Sequence, residues 1–252
     1  MTRRRSTATR RAESQAAAAR AAAIRREQER KERRRRTILV VVAVAVLAAI
    51  GTAVSVYVDR TGAPSAAPQG AVATYAVPAG PASARVKVAV YEDFMCPFCG
   101  QFERASRTAL QKDLADGAVQ LQYHVLNFLD GSSTTDYSSR AANAYAAVFD
   151  DSGPQVAKKF HDLLFEHQPD EGSAGISDAR LLRYAVQAGA DRGTVSAAIR
   201  DRTYEQWVNN GTDQASKGGV TRTPTVKVNG KTMTFTTIDD LVAKVKSAVA
   251  AG

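Results

Sequence analysis

Arg85-Val-Lys-Val-Ala-Val-Tyr-Glu-Asp-Phe-Met-Cys-Pro-Phe-Cys99 passes from one periodicity to another. As far as Tyr91 its apolar, largely β-branched residues alternate with others, the period of a strand. Pro97 can open a helix at no cost, because the N–H it lacks has no partner in a first turn. Gly117 ends that helix after about Asp116. Cys96 and Cys99, both cysteines of the chain, therefore fall where a strand hands over to a helix.

Working outward, Val119 to Phe128 alternates Val119, Leu121, Tyr123 and Val125 with polar side chains and reads as a second strand. The next ninety or so residues carry no strand pattern. Start signals at Pro154, Ser177 and Asp191 and stops at Gly153, Gly175 and Gly189 divide them into helices over about 136–150, 154–167, 177–188 and 192–209. Strand character returns at Thr225–Val228, turns at Asn229-Gly230 and comes back over Lys231–Phe235. Thr237 and Asp240 form a capping box for a last helix with Ile238, Leu241, Val242, Val245 and Val249 on one face. The order is a small mixed α/β unit split by a helical insertion over about 132–217.

The chain has 252 residues, 44% hydrophobic and 23% charged, an ordinary globular composition. Two cysteines exclude a disulfide-stapled mini-protein, and the apolar content excludes a fully disordered chain. The net charge of +9 is unevenly spread. Residues 1–36 hold 14 basic and 4 acidic groups, and the remaining 216 hold 20 and 21. The excess sits in an N-terminal tail, followed by 22 uncharged residues from Thr37 to Val58. As a helix these span about 33 Å, enough for a bilayer core. Arg33 to Arg36 place the tail, 1–36, in the cytoplasm and everything after the 37–58 span outside it. A cleaved signal peptide is the rival reading, but its apolar region is ordinarily shorter. A neighbouring span accounts for the charge and the tail has no aromatic residue, so the expected partner is the lipid bilayer and not a nucleic acid. Residues 59–84, with Pro64, Pro68, Pro78 and Pro81, have tether composition, with a short strand within Val72–Val77, and the folded domain, 85–252, follows.

Cys96-Pro97-Phe98-Cys99 carries the chemistry. A disulfide there closes too small a loop to stabilise the fold much. Zinc asks for four ligands, and no second cysteine pair exists; His161 and His167, six apart on a helix, do not share a face. No metal and no cofactor beyond the Cys96–Cys99 pair is expected. At a helix N-terminus the unpaired N–H groups and the dipole favour a thiolate, and the first cysteine of such a site is the exposed, acidic one. Cys96 is thus the attacking sulfur and Cys99 the resolving one.

Glu92-Asp-Phe-Met-Cys-Pro-Phe-Cys99 together with Gly219-Val-Thr-Arg-Thr-Pro-Thr-Val-Lys-Val-Asn-Gly230 resembles the DsbA-like thiol:disulfide oxidoreductases over about residues 85–250. The resemblance implies an α/β, thioredoxin-like fold interrupted by an all-helical insertion and here preceded by one transmembrane helix. It implies that Pro224 is a cis proline facing the cysteines, with the Thr223 backbone offered to a substrate peptide. Three residues depart from the pattern. Phe98 stands where the best-known oxidases have His, which leaves the thiolate without a donor. Val90 stands where many relatives have a buried Glu, whose proton-handling role is then absent or passes to Glu92 or Asp93; the bland alternative for those two is a solvated strand end. Arg222 replaces a frequent Gly, either adding positive charge near Cys96 or standing as an exposed loop residue. Phe94, Phe98, Phe102 and Trp207 either line a peptide groove or pack in the core.

The resulting expectation is a membrane-anchored, extracytoplasmic enzyme that forms disulfides in exported proteins containing cysteines. By family analogy a quinone-linked membrane partner reoxidises it. The alternatives are a reductase or isomerase for selected clients, and a non-catalytic binding module that keeps the fold.

Overall fold

The computed structural model describes residues 66–72 and 75–252. The expected tail, 1–36, the expected span, 37–58, and the first part of the tether lie outside the described residues. Among the described residues no helix is long and apolar enough to cross a membrane.

Five strands form one mixed sheet in the order β1-β3-β2-β4-β5. They are β1 (Val77–Ala79), β2 (Val86–Glu92), β3 (Val119–Val125), β4 (Thr225–Val228) and β5 (Lys231–Thr232). Helix α1 (Pro97–Ala115) crosses from β2 to β3, which run parallel, while β1, β4 and β5 pair antiparallel to their neighbours. The final helix, α6 (Ile238–Ala251), packs on α1 and β4. The sheet thus starts at Val77, ahead of the expected boundary near Arg85. Pro78 is tolerated there because β1 is an edge strand, where one side of the ladder needs no N–H.

In β2 the residues Val86, Val88, Val90 and Glu92 are buried and those between them are only partly so. The period-2 row that points Val90 inward therefore carries Glu92 inward too. The core around this row includes Phe94, Phe102, Tyr123, Val226 and Leu241.

The insertion consists of α2 (Tyr137–Glu166), α3 (Asp178–Ala188), α4 (Arg192–Arg200) and α5 (Glu205–Lys217). Helix α2 is kinked at Gly153, whose φ of 74° only glycine adopts readily, and Pro154 restarts the helix behind it. The two helices expected over 136–150 and 154–167 are these two arms.

The single helix expected over 192–209 is instead broken. Arg202 takes a positive φ of 51°, and the buried side chain of Asn143 in α2 holds the break open. Its Oδ1 accepts from the Tyr204 N–H at 2.7 Å and its Nδ2 donates to the Ala198 carbonyl at 3.1 Å. A side chain from a distant helix supplies the partners that continued helix would have supplied. Strands β3 and β5 are also shorter than the alternation suggests, ending at Val125 and Thr232.

Candidate active site

Cys96 is the N-cap residue of α1, in extended conformation, with Pro97 in the first turn. Its carbonyl accepts from the N–H of Cys99 at 3.0 Å and of Gly100 at 3.2 Å, which closes that turn. Gln168, just past the end of α2, fastens the same turn from the insertion. Its Nε2 donates to the Cys96 carbonyl at 2.8 Å and to the Phe94 carbonyl at 3.1 Å.

The two thiols are free in this structure. Cys96, expected to be the exposed sulfur, is instead buried at 5% exposure, because the loop before β4 closes over it, and Cys99 is fully buried. The Cys96 Sγ lies 3.5 Å from the Thr223 carbonyl oxygen, and the Thr223–Pro224 peptide is cis. Topology accounts for the meeting: β4 pairs with β2, so the loop before β4 ends beside the loop after β2.

A hydrogen bond from the Cys99 thiol is the largest influence on Cys96. It acts with the Thr223 side chain and the N–H groups of Cys99 and Phe98, against burial, to bring the Cys96 thiol down to about 6. Burial, the neighbouring Cys96 and the Glu92 charge push Cys99 well above its ordinary value. One sulfur is thus held as an anion near neutral pH and the other as a thiol.

Asp93 is fully buried and ties three segments together. It accepts from Met95 N–H at 2.9 Å, from the Ser138 hydroxyl at 2.6 Å and from Leu129 N–H at 2.9 Å. Burial outweighs these donors and raises its carboxyl to about 7. Glu92 is fully buried as well, so neither residue is a solvated strand end.

Phe98 is 58% exposed and borders an open groove of about 630 Å³ that runs from Cys96 past Phe128, Leu129 and Val220 to Thr223. Arg222 also lines this groove, its guanidinium 5.9 Å from the Phe235 ring centre. Arg222 is not among the leading influences on Cys96. Phe94, Phe102 and Trp207 are core residues, so of the four aromatics only Phe98 faces the groove.

Four polar residues stand out here that the sequence pattern did not single out for the site: Gln168, Glu103, His161 and Asp162. Glu103 follows Cys99 by four residues on α1 and is buried on that helix's inner side. Its spacing from the cysteine was the available signal. Glu92, Glu103 and His161 have the residue types of a metal site, with ligand atoms within 4.8 Å of one another. However, His161 Nε2 is 2.7 Å from Glu92 Oε1 and its Nδ1 is 3.4 Å from Asp162 Oδ1. Burial pulls this imidazole down, but the Glu92 charge, Asp162 and Glu103 overcome it and hold it at about 9. Both ring nitrogens of His161 thus face carboxylate oxygens, the arrangement of a buried ion-pair cluster.

A family model described as thioredoxin matches residues 73–247. Among solved structures, the reduced disulfide oxidoreductase DsbG of Mycobacterium tuberculosis superposes with a TM-score of 0.61 at 35% identity, over 71% of this chain and 89% of that one. Reduced DsbA of Mycobacterium tuberculosis gives a TM-score of 0.59 at 31% identity, over 70% and 96%. Among curated proteins, the serine/threonine-protein kinase PknE of Mycobacterium tuberculosis is 32% identical over 121 residues, 46% of this chain. The chain spans only 21% of the length of that relative. On these matches the chain belongs to the thioredoxin family, among the DsbA-like thiol:disulfide oxidoreductases.

Proposed function

We propose that this protein is a membrane-anchored, extracytoplasmic thiol:disulfide oxidoreductase that forms disulfides in exported proteins. The observation that carries the reading is the placement of the sulfurs: Cys96 lines an open groove with its Sγ 3.5 Å from the Thr223 carbonyl, and Cys99 is fully buried one turn behind it. A client thiolate attacks Cys96 of the oxidised pair; the Cys96–Cys99 bond breaks, its electron pair leaves on Cys99, and a client–Cys96 mixed disulfide forms. A second client thiolate attacks the client sulfur, the client disulfide closes, and Cys96 departs as the stabilised thiolate. The Thr223 carbonyl beside Cys96 and the apolar floor of Phe128, Leu129 and Val220 favour an extended client segment lying along the groove.

The span at 37–58, with Arg33 to Arg36 on its cytoplasmic side, supports a single-pass anchor in the cell membrane that leaves the catalytic domain outside, where disulfides persist. Reoxidation passes two electrons from the dithiol to a quinone-linked membrane partner. Anchoring both in one plane raises their effective concentration.

The test is the reduction potential of the Cys96–Cys99 pair, measured against glutathione. A value near about −120 mV supports the oxidase, and one near about −270 mV makes the protein a reductase or isomerase. A protein that keeps its cellular role with both cysteines replaced by Ser is a binding module instead.

A further inference from the structure

Tyr91 in β2 and His124 in β3 are register partners, on the opposite face of the sheet from Val90 and Tyr123. Their rings stack with centres 4.2 Å apart and 12° between the planes. Lys227 in β4 reaches the same face and lies 5.0 Å from the Tyr91 ring centre. The C-terminal end of α5 lies over these three, and between them is a pocket of about 390 Å³ that Gln214 and Lys217 of the helix also line. Val220, just past α5, lines both this pocket and the groove that holds Cys96.

The polar groups of this pocket are not spent on one another. His124 is 7% exposed, yet neither ring nitrogen has a hydrogen bond among the described residues. A buried imidazole is ordinarily paired, so one left open toward a cavity points to a group that enters from outside. Burial, and then the charge of Lys227, bring this ring down to about 4, so at neutral pH it is neutral, with one N–H to donate. Lys217 and Lys227 have no ion pair among the described residues, and no acidic residue is among those lining the pocket. Two uncompensated ammonium groups, an amide and an imidazole N–H around one opening make a site for an anion.

We propose that this pocket is a specificity subsite that takes an acidic side chain, Asp or Glu, of the client polypeptide whose thiol reacts at Cys96. The proposal rests on the thiol:disulfide reading above. Continuity of the two concavities favours a residue of the same client over a free anion. Tyr91 pairs with Thr225, the residue after Pro224, while the carbonyl before Pro224 lies against Cys96. An extended client that leaves Cys96 past Val220 therefore comes to the pocket within a few residues. Its carboxylate accepts from the ammonium groups of Lys217 and Lys227 and from the His124 N–H, over the stacked rings. These residues touch the client and not the reacting sulfurs, so they decide which clients are used and leave the exchange chemistry to Cys96 and Cys99.

The experiment uses the full-length oxidised protein and pairs of two-cysteine peptides identical except for Glu or Gln at one position, which is moved stepwise along either flank of the cysteines. Closing the peptide disulfide passes two electrons to the Cys96–Cys99 disulfide, and the loss of peptide thiols is followed at low salt. At the position that reaches the pocket, the second-order rate constant of the Glu peptide is expected to exceed that of the Gln peptide by about 10-fold, the worth of one charge-assisted hydrogen bond. Lys217→Met and Lys227→Met are expected to bring this ratio close to one. His124→Phe, which keeps a stacked ring and removes both nitrogens, is expected to lower it by about 3-fold; Lys217 is exposed, so its variant tests the subsite even where the buried one does not fold. Lys246→Met removes the same charge from an exposed position on α6 and is expected to leave the ratio as it is. A wild-type ratio near one at every position, or a ratio that Lys246→Met lowers as far as Lys227→Met does, overturns the subsite and leaves the redox reading standing. A wild-type protein that closes neither peptide overturns the redox reading, and the subsite with it.

Discussion

Replacing Cys99 by Ala tests what holds Cys96 as an anion. The Cys99 thiol is the largest lowering influence on Cys96, ahead of the Thr223 side chain and the two backbone N–H groups. A hydrogen bond to a charged group contributes about 1.5–3 kcal/mol, and 1.36 kcal/mol corresponds to one pH unit. The Cys96 midpoint should therefore rise from about 6 to between roughly 7 and 8 in Cys99→Ala. Cys99→Ser, which restores a donor, should return it close to 6. The assay is the pH dependence of iodoacetamide alkylation, with thiolate absorbance as a second probe. The same thiolate sets how stability depends on pH. The folded value lies below the ordinary 9.0, so the reduced form gains stability that is complete above about pH 9 and is lost as the pH falls through about 6. The full gain is at most about 4 kcal/mol, of which about 1.4 kcal/mol, or roughly 30 mV of oxidising power, is present at pH 7. Urea unfolding of the reduced and oxidised forms between pH 5 and 9 measures it. A midpoint unchanged in Cys99→Ala would refute the reasoning and assign the anion to Thr223 and the backbone N–H groups of the helix N-terminus.

Three further outcomes follow from the contacts. Asp93→Ala strands the donors of Met95, Leu129 and Ser138; about 2–4 kcal/mol of stability should be lost in urea titrations, and a loss below about 1 kcal/mol would contradict the tying role. Phe98→His should leave the unfolding midpoint unchanged, since the side chain is 58% exposed, and lower the Cys96 midpoint by about one unit through a new donor, read by the same alkylation kinetics. Asn143→Ala leaves the Tyr204 N–H and the Ala198 carbonyl without the partners they have here; thermal unfolding should show a loss of about 2–3 kcal/mol, and hydrogen exchange should report the change at residues 198–204.

The residue order by itself determined much of this protein. Alternation in 85–91, a proline able to open a helix, and two cysteines one turn apart specify a strand, a turn and a thiolate at a helix N-terminus, because each depends on neighbours within a few positions. The glycine at 153 and the proline at 154 marked the kink of α2 for the same reason. The pairing of Cys96 with Thr223 needed the family motif, since 127 residues separate them and only the β2–β4 register brings them together. Other features were decided by the tertiary structure alone. Asn143 breaks a helix more than fifty residues away, and no local propensity at Arg202 announces it. Glu92 extends the inward row of Val86, Val88 and Val90, yet an acidic residue at a strand end reads equally well as solvated until a partner is seen. His161 is that partner, 69 positions along the chain on a helix of the insertion. A buried charge persists only where packing brings a compensating group within hydrogen-bond reach, and that distance is a property of the folded chain, not of its spacing in sequence.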